Sequence, residues 1–266
     1  MIFFTKMHGI GNDYVYVNCL KNSIKNPEIF AKFASDRNFG IGSDGVILID
    51  KSNKCDLKMR IFNYDGTEAE MCGNGIRCVG KYAYEKGLVK KDVMTIETLA
   101  GVKIVKLNIK NGYVIDVTVN MGTPILEGKR KLKIQNKLFN ITCVSMGNPH
   151  AVIFVDNVDN IDISKYGMLI SENSMFPNRT NVEFVEIVDK NTLKVRVYER
   201  GAGETLACGT GACASIVAAN EEGYVTKNVE IILKGGVLKV EWNKSENNVY
   251  MRGPATIVYE GQIDFK

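Results

Sequence analysis

Two cysteines stand in matching settings 136 residues apart, Met71-Cys72-Gly73-Asn74-Gly75 and Ala207-Cys208-Gly209-Thr210-Gly211. In each, the cysteine immediately precedes a glycine-rich turn leading into small and apolar residues, which reads as a helix start. A helix N-terminus carries backbone N–H groups without partners in the helix and about half a unit of positive charge. A thiol placed there is expected to lose its proton more readily, its pKa falling from about 8.5 toward neutrality. The same N–H groups can hold a carboxylate or phosphate, and the glycines let a ligand come close to the backbone. A single Cys-Gly-x-Gly is a weak signal. Two at equivalent places in one chain are a strong one.

If the two segments are related by a pseudo-twofold axis, the thiols face each other across one cleft. That arrangement suits inversion of a carbon next to a carboxylate, with a base on one face and an acid on the other, both with pKa values near the working pH. The developing enolate charge would be held by the N–H groups of both helix starts. Other polar residues fit such a site. Asn12, Asn63, Asn148 and Asn181 fall in turns or at strand ends. Asn63 lies nine residues before Cys72, and Glu199 nine before Cys208, so equivalent positions carry different groups, as a site must that tells two ends of a substrate apart. Arg200 can grip a carboxylate bidentately, Glu199 can pair with an ammonium, and His150 can tune a thiol. No lysine motif for pyridoxal phosphate is evident. With two histidines and no Cys-x-x-Cys, no metal-ligand spacing is evident either. The expected reaction uses no cofactor and no metal.

The elements that position these residues come in two copies. At an offset of 136, fourteen of the forty residues from 57 to 96 are identical to their counterparts, among them Arg60/Arg196, Cys72/Cys208, Gly75/Gly211 and Gly87/Gly223. The same offset pairs Gly11-Asn12 with Gly147-Asn148, and Gly45-Val46 with Asn181-Val182. A duplicated domain explains a single long offset; small-repeat arrays have periods of about 20–50 residues. In each copy, strands come first (13–18 and 57–63; 149–154 and 193–199). A helix follows, near 73–86 and 209–222, ending at Gly87 or Gly223. More strands come after it (93–98, 102–109 and 113–119; 229–233, 236–242 and 249–253). The second helix is apolar around most of its circumference and belongs inside a fold. The predicted fold is therefore α+β, with two pseudo-symmetric lobes, each a mostly antiparallel, β-barrel-like sheet wrapped around a central helix. The expected N-terminal lobe is 1–116 and the C-terminal lobe 117–254. Residues 121–136 are read as the join between copies.

Composition removes other classes. Of 266 residues, 45% are hydrophobic and 24% charged, as in ordinary globular proteins. No apolar run reaches the ~20 residues of a membrane span. A net charge of +4 gives no case for nucleic acid. Seven cysteines, an odd number, and a start without a signal-peptide pattern point to a reducing cytoplasm rather than a disulfide framework. Cys19, Cys55, Cys78, Cys143 and Cys213 read as small buried hydrophobes, and His8 as structural. Arg77 either faces solvent or serves the helix. The lysines that carry most of the charge read as a solvated face.

The motifs resemble the diaminopimelate epimerase family across nearly the whole chain. Phe4-Thr5-Lys6-Met7-His8-Gly9-Ile10-Gly11-Asn12-Asp13 is similar to its opening signature. Asn63-Tyr64-Asp65-Gly66 with Met71 through Cys78 is similar to its first cysteine motif. Met146-Gly147-Asn148-Pro149-His150, Arg179-Thr180-Asn181-Val182, and Tyr198 through Thr205 with Ala207 through Gly211 complete the set. The resemblance implies cofactor-independent interconversion of LL- and meso-diaminopimelate in lysine and peptidoglycan biosynthesis. It implies that Cys72 and Cys208 are the acid–base pair, and that Gly73-Asn74 and Gly209-Thr210 hold the reacting carboxylate. Asn12, Asn63, Asn148, Asn181, Glu199 and Arg200 would hold the rest of the substrate, while His150 and Glu199 tune the thiols. It further implies a homodimer, and a C-terminal strand within 255–266 that packs back on the first lobe. One departure is Gly45, where some members carry Gln. Rival readings are a proline or hydroxyproline racemase, a phenazine-type isomerase (which lacks the cysteine pair), an amino-acid-binding protein, which would not need both thiols, and a Cys72–Cys208 redox switch.

Overall fold

A computed structural model describes residues 1–20 and 23–265. The chain forms two units, Met1–Val119 with Gly253–Lys266, and Asn120–Arg252.

The first unit begins with β1 (Ile2–Gly9) and β2 (Asn12–Asn18), then helix α1 (Pro27–Ser35), β3 (Gly45–Asp50), β4 (Leu57–Asn63), the short β5 (Glu68–Ala69) and helix α2 (Gly73–Glu85). Strands β6 (Val93–Thr98), β7 (Gly101–Lys110) and β8 (Tyr113–Gly122) follow. β1 and β2 pair antiparallel, β2 and β3 parallel, and β3 and β4 antiparallel; β6 lies parallel to β4, and β7 and β8 continue antiparallel. Tyr14–Val17 and Val46–Ile49 are buried without a break. Unbroken burial marks a sheet covered on both faces. One face meets α1, where Val15, Val17, Val46 and Leu48 join Phe30, Ala31 and Ala34 in one core. The other meets α2: the Tyr16 hydroxyl donates to Gly75 O at 3.3 Å, and Ile47 lies against Gly75. Val105, Leu107 and Val117 of β7 and β8 press on Gly80 of the same helix, so the sheet wraps it. The helix ends at Gly87 with φ +70° and a Leu88 N–H to Ala83 O bond of 2.8 Å, a Schellman-type stop.

The second unit contains β9 (Ile125–Ile134), β10 (Lys137–Ser145), β11 (Pro149–Phe154), helix α3 (Ile163–Ser171), β12 (Asn181–Asp189), β13 (Thr192–Glu199), β14 (Gly203–Thr205) and helix α4 (Gly209–Glu221). It closes with β15 (Asn228–Leu233), β16 (Gly236–Asn243) and β17 (Asn248–Gly253). The pairings repeat those of the first unit: β11–β12 and β13–β15 are parallel, the rest antiparallel. α3 covers one sheet face with Ile163 and Ile170 against Ile153, Val182 and Phe184. α4 fills the other, buried at Gly209 and from Gly211 through Ala219. Both helix pairs obey the offset of 136 to the residue: 27–35 with 163–171, and 73–85 with 209–221. The architecture is the α+β, sheet-around-helix plan that the sequence predicts.

Two features differ from the sequence reading. α1 and α3 were not predicted. Each has nine residues, and at the offset they share only Ser35/Ser171, so neither repeat nor long periodicity announces them. Residues 121–136 are not a plain join. Most of them form β9, which makes a hairpin with β10 (Leu132 opposite Phe139) and buries Leu132 and Ile134. A final strand, β18 (Thr256–Ile263), pairs antiparallel with β1, the counterpart of β10. β1 and β10 therefore each take an edge partner from beyond the segment that the offset duplicates. Lys266 lies outside the described residues.

Candidate active site

In the first unit Cys72 is the N-cap of α2, in extended backbone (φ −137°, ψ 114°), and its Sγ accepts the Gly75 N–H at 3.3 Å. A side chain at Gly75 would meet Ile47 at 2.6 Å, so glycine permits the helix start to close on the strand. Cys72 Sγ also lies 3.3 Å from Asn12 Oδ1, which accepts from Asn74 Nδ2 at 3.3 Å. Asn12 is aimed by Asp44, whose Oδ2 accepts from Asn12 Nδ2 at 2.8 Å and from Asp13 N at 3.1 Å. Arg77, fully buried, donates to Gly73 O (3.2 Å), Asn74 Oδ1 (2.9 Å) and Pro254 O (3.2 Å). It serves the helix, which settles the choice that the sequence leaves open. Tyr14, buried, faces Cys72; burial first and that thiol second push its phenol well above the ordinary value.

The second unit repeats the cap and changes what stands behind it. Cys208 caps α4 (φ −114°, ψ 113°), accepting Gly211 N–H at 3.3 Å, with Thr210 Oγ1 at 3.5 Å. Asn148 Nδ2 donates to Thr210 Oγ1 at 3.2 Å, and Asn148 Oδ1 lies 3.2 Å from His150 Nε2. His150 Nδ1 lies 2.7 Å from Glu183 Oε1. Both side chains of that pair are completely buried. Glu199 also faces Cys208, and accepts from the Thr205 hydroxyl.

The sequence predicts a lowered pKa for both helix-start thiols. Cys208 goes the other way, pushed well above the ordinary thiol value by burial first and then by the negative charges of Glu199 and Glu183; Thr210 and the Gly211 N–H oppose this without prevailing. Dehydration disfavours the charged form more than one helix end favours it. Burial likewise raises the Glu199 carboxyl, against hydrogen bonds from Thr205 and Cys208.

The structure thus groups Asn12, Cys72, Gly73 and Asn74 in one cluster, and Asn148, His150, Glu199, Cys208, Gly209 and Thr210 in another. His150 reaches Cys208 through Asn148 and Thr210. Asn63 stands at the end of β4, donating to Thr67 Oγ1 at 3.0 Å. Asn181 opens β12 and accepts the Arg200 N–H at 2.8 Å, while the exposed Arg200 guanidinium donates to Asn178 O at 3.0 Å. At Gly45 a Cβ would fall 2.2 Å from Phe62 O, so this backbone has no room for a side chain. Sequence reasoning missed Asp44, Tyr14 and Glu183. For Glu183 a signal existed: a carboxylate in the otherwise apolar start of β12, where the offset gives Ile47 in the other copy. Cys19, Cys78, Cys143 and Cys213 are buried as expected, whereas Cys55 is only half-buried.

The diaminopimelate epimerase family model matches residues 4–127 and 142–258. A diaminopimelate epimerase from Methanococcus maripaludis is 53% identical over 98% of this chain and 99% of its own length. One from Acetivibrio thermocellus is 52% identical over 98% of each. Among solved structures, a phenazine biosynthesis protein from Bacillus anthracis superposes with a TM-score of 0.78 at 17% identity, covering 99% of both chains. A hydroxyproline epimerase from Agrobacterium vitis superposes with a TM-score of 0.74 at 15% identity, covering 98% of this chain and 91% of its own. The two structures share the fold.

Proposed function

Because the chain belongs to the diaminopimelate epimerase family, whose members interconvert LL- and meso-diaminopimelate in lysine biosynthesis, we propose that Cys72 and Cys208 are its acid–base pair. One thiolate takes the α-proton, forming S–H as the C–H bond breaks, and the electron pair passes into the carboxylate as an enolate. The other thiol delivers its proton to the opposite face as the pair returns to carbon. The enzyme ends with the roles exchanged, and the reverse reaction resets it. Two thiols complete this proton inventory, so the reaction needs no cofactor.

One observation carries the reading: both thiols cap their helices alike, each accepting a glycine N–H at 3.3 Å. The first-turn N–H groups at Gly73-Asn74 and Gly209-Thr210 would hold the reacting carboxylate, where negative charge grows as the proton leaves. Asn12, Asn63, Asn148, Asn181 and Arg200 would hold the rest of the substrate, and Glu199 its ammonium. The buried, carboxylate-flanked setting of Cys208 supports its starting as the acid. An ammonium bound at Glu199 would neutralise the nearer charge and ease the later formation of its thiolate. Peptidoglycan supply, a homodimer and a cytoplasmic compartment belong to the same proposal. The odd number of cysteines, seven, is in keeping with a reducing compartment.

The test is exchange of the α-proton of diaminopimelate with solvent deuterium by the reduced protein. Cys72→Ala and Cys208→Ala should each lower epimerisation by at least about a hundredfold. Each variant should retain exchange in only one stereoisomer, the one whose proton faces the remaining thiol. A Cys208→Ala protein that epimerises at the parent rate would overturn the two-thiol reading.

A further inference from the structure

The two half-sites differ most in what lies behind the thiol. At the offset of 136, His150 corresponds to Tyr14 and Glu183 to Ile47. The correspondence is spatial too: a Cβ on Gly211 would meet Glu183 Oε1 at 2.6 Å, as one on Gly75 would meet Ile47 Cδ1 at 2.6 Å. Where the first unit has an aliphatic side chain, the second buries a carboxylate. One of its oxygens, Oε2, has no hydrogen-bond partner among the described residues. Burying a half-satisfied carboxylate is costly. Packing alone does not account for it, because isoleucine fills the equivalent place.

Its other oxygen starts a directed chain. Glu183 Oε1 is an acceptor for His150 Nδ1 (2.7 Å), Asn148 Oδ1 an acceptor for Nε2 (3.2 Å), and Thr210 Oγ1 an acceptor for Asn148 Nδ2 (3.2 Å). Thr210 Oγ1 then has its own proton left to give, and Cys208 Sγ is 3.5 Å away. Read in this direction every link is a donor to the next acceptor, and both imidazole nitrogens donate. We propose that Glu183 is a positioning residue: it holds His150 as a double donor and so turns the Asn148 amide and the Thr210 hydroxyl to present a donor to Cys208 Sγ.

A donor at sulfur stabilises the thiolate that Cys208 must become once it has delivered its proton. With Gln in place of Glu183, the ring has no anion to hold its second proton. Nε2 then becomes an acceptor, the Asn148 amide turns over, and the Thr210 hydroxyl is drawn to Asn148 Oδ1. Sulfur loses its donor. The titratable groups facing His150 and this chain are Glu183 from β12, Glu199 from β13 and Cys208 at the start of α4. The inference rests on the acid–base role of Cys208.

Through-space charge and the chain predict opposite signs, which makes the test decisive. Deleting the Glu183 charge by itself eases ionisation of Cys208, whereas losing the donor opposes it. The Cys208 titration would be followed without substrate by ultraviolet thiolate absorbance, as the difference between each protein and its Cys208→Ser version. Glu183→Gln should raise the midpoint by about one pH unit, a tenfold loss of thiolate at fixed pH. With Thr210→Val cutting the chain, the same substitution should lower the midpoint or leave it in place. A midpoint that falls or stays with Glu183→Gln alone, or that rises equally with Thr210→Val, would overturn the proposal. If Glu183→Gln does not fold, Thr210→Val alone, which removes the donor at sulfur and keeps the carboxylate, should raise the midpoint by a similar amount, and an unchanged or lowered midpoint would overturn the proposal. A protein that titrates as expected yet fails to epimerise diaminopimelate would overturn the proposed function and leave the network standing.

Discussion

Arg77 offers a direct measure of how the first helix start is held. Its side chain is completely buried and donates to Gly73 O, Asn74 Oδ1 and Pro254 O, at 3.2, 2.9 and 3.2 Å. Arg77→Met keeps most of the volume and removes the donors. Each buried acceptor left unpaired costs about 1–3 kcal/mol, and relief from burying the guanidinium returns several kcal/mol. The net loss should be about 3 kcal/mol. At about 2–4 °C per kcal/mol for a chain of this size, the melting temperature should fall by about 6–12 °C. Circular dichroism on heating and in urea would measure it. Arg77→Lys, which reaches fewer acceptors, should lie between. Since two of the acceptors belong to Gly73 and Asn74, kcat should fall as well, measured far below the melting transition. A methionine variant that melts within about 2 °C of the parent and turns over normally would refute the argument, and would mean that helix α2 holds its own start.

Other consequences can be checked together. Cys78 is fully buried and its thiol is pushed up to about 11 from the ordinary 9.0, chiefly by burial. Its folded pKa is the higher, so its contribution to stability is whole below pH 9 and is lost as pH rises toward 11. Urea unfolding should show the parent losing about 3 kcal/mol more than Cys78→Ala across that window; equal losses would contradict the assignment. Gly211→Ala places a Cβ against Glu183 Oε1, which His150 pins, whereas Gly75→Ala meets the free methyl end of Ile47. The first should cost about 1–3 kcal/mol and the second less, and reversal of that order in paired thermal melts would argue against a rigid dyad.

Helices α2 and α4 were legible in the sequence. A cysteine before a glycine-rich turn, a run of small and apolar residues, and a closing glycine specify a capped and buried helix, because caps and periodicity act within one or two turns of the chain. Twice at one offset, they mark a duplicated unit, and the motifs around them mark the family. Where the signal lies in only nine residues, as in α1 and α3, it fades. The return of β18 to β1 was legible only through the family resemblance, because that pairing joins opposite ends of the chain, and the β9–β10 hairpin was passed over although its turn is local.

By itself the sequence determined the repeat, the fold class, the capping thiols and the polar side chains gathered near them. Only the tertiary structure decided the electrostatics. Arg77 could have faced water until the helix was seen sheathed by its sheet. Glu183 is one letter in a strand until its side chain is found buried beside His150. The expected fall in the Cys208 pKa was a local inference from a helix end. Its rise comes from burial and from carboxylates supplied by β12 and β13. Helix capping is set by neighbours in sequence. The charge a buried atom feels is set by everything that displaces water from it, and that is known only once the chain has folded.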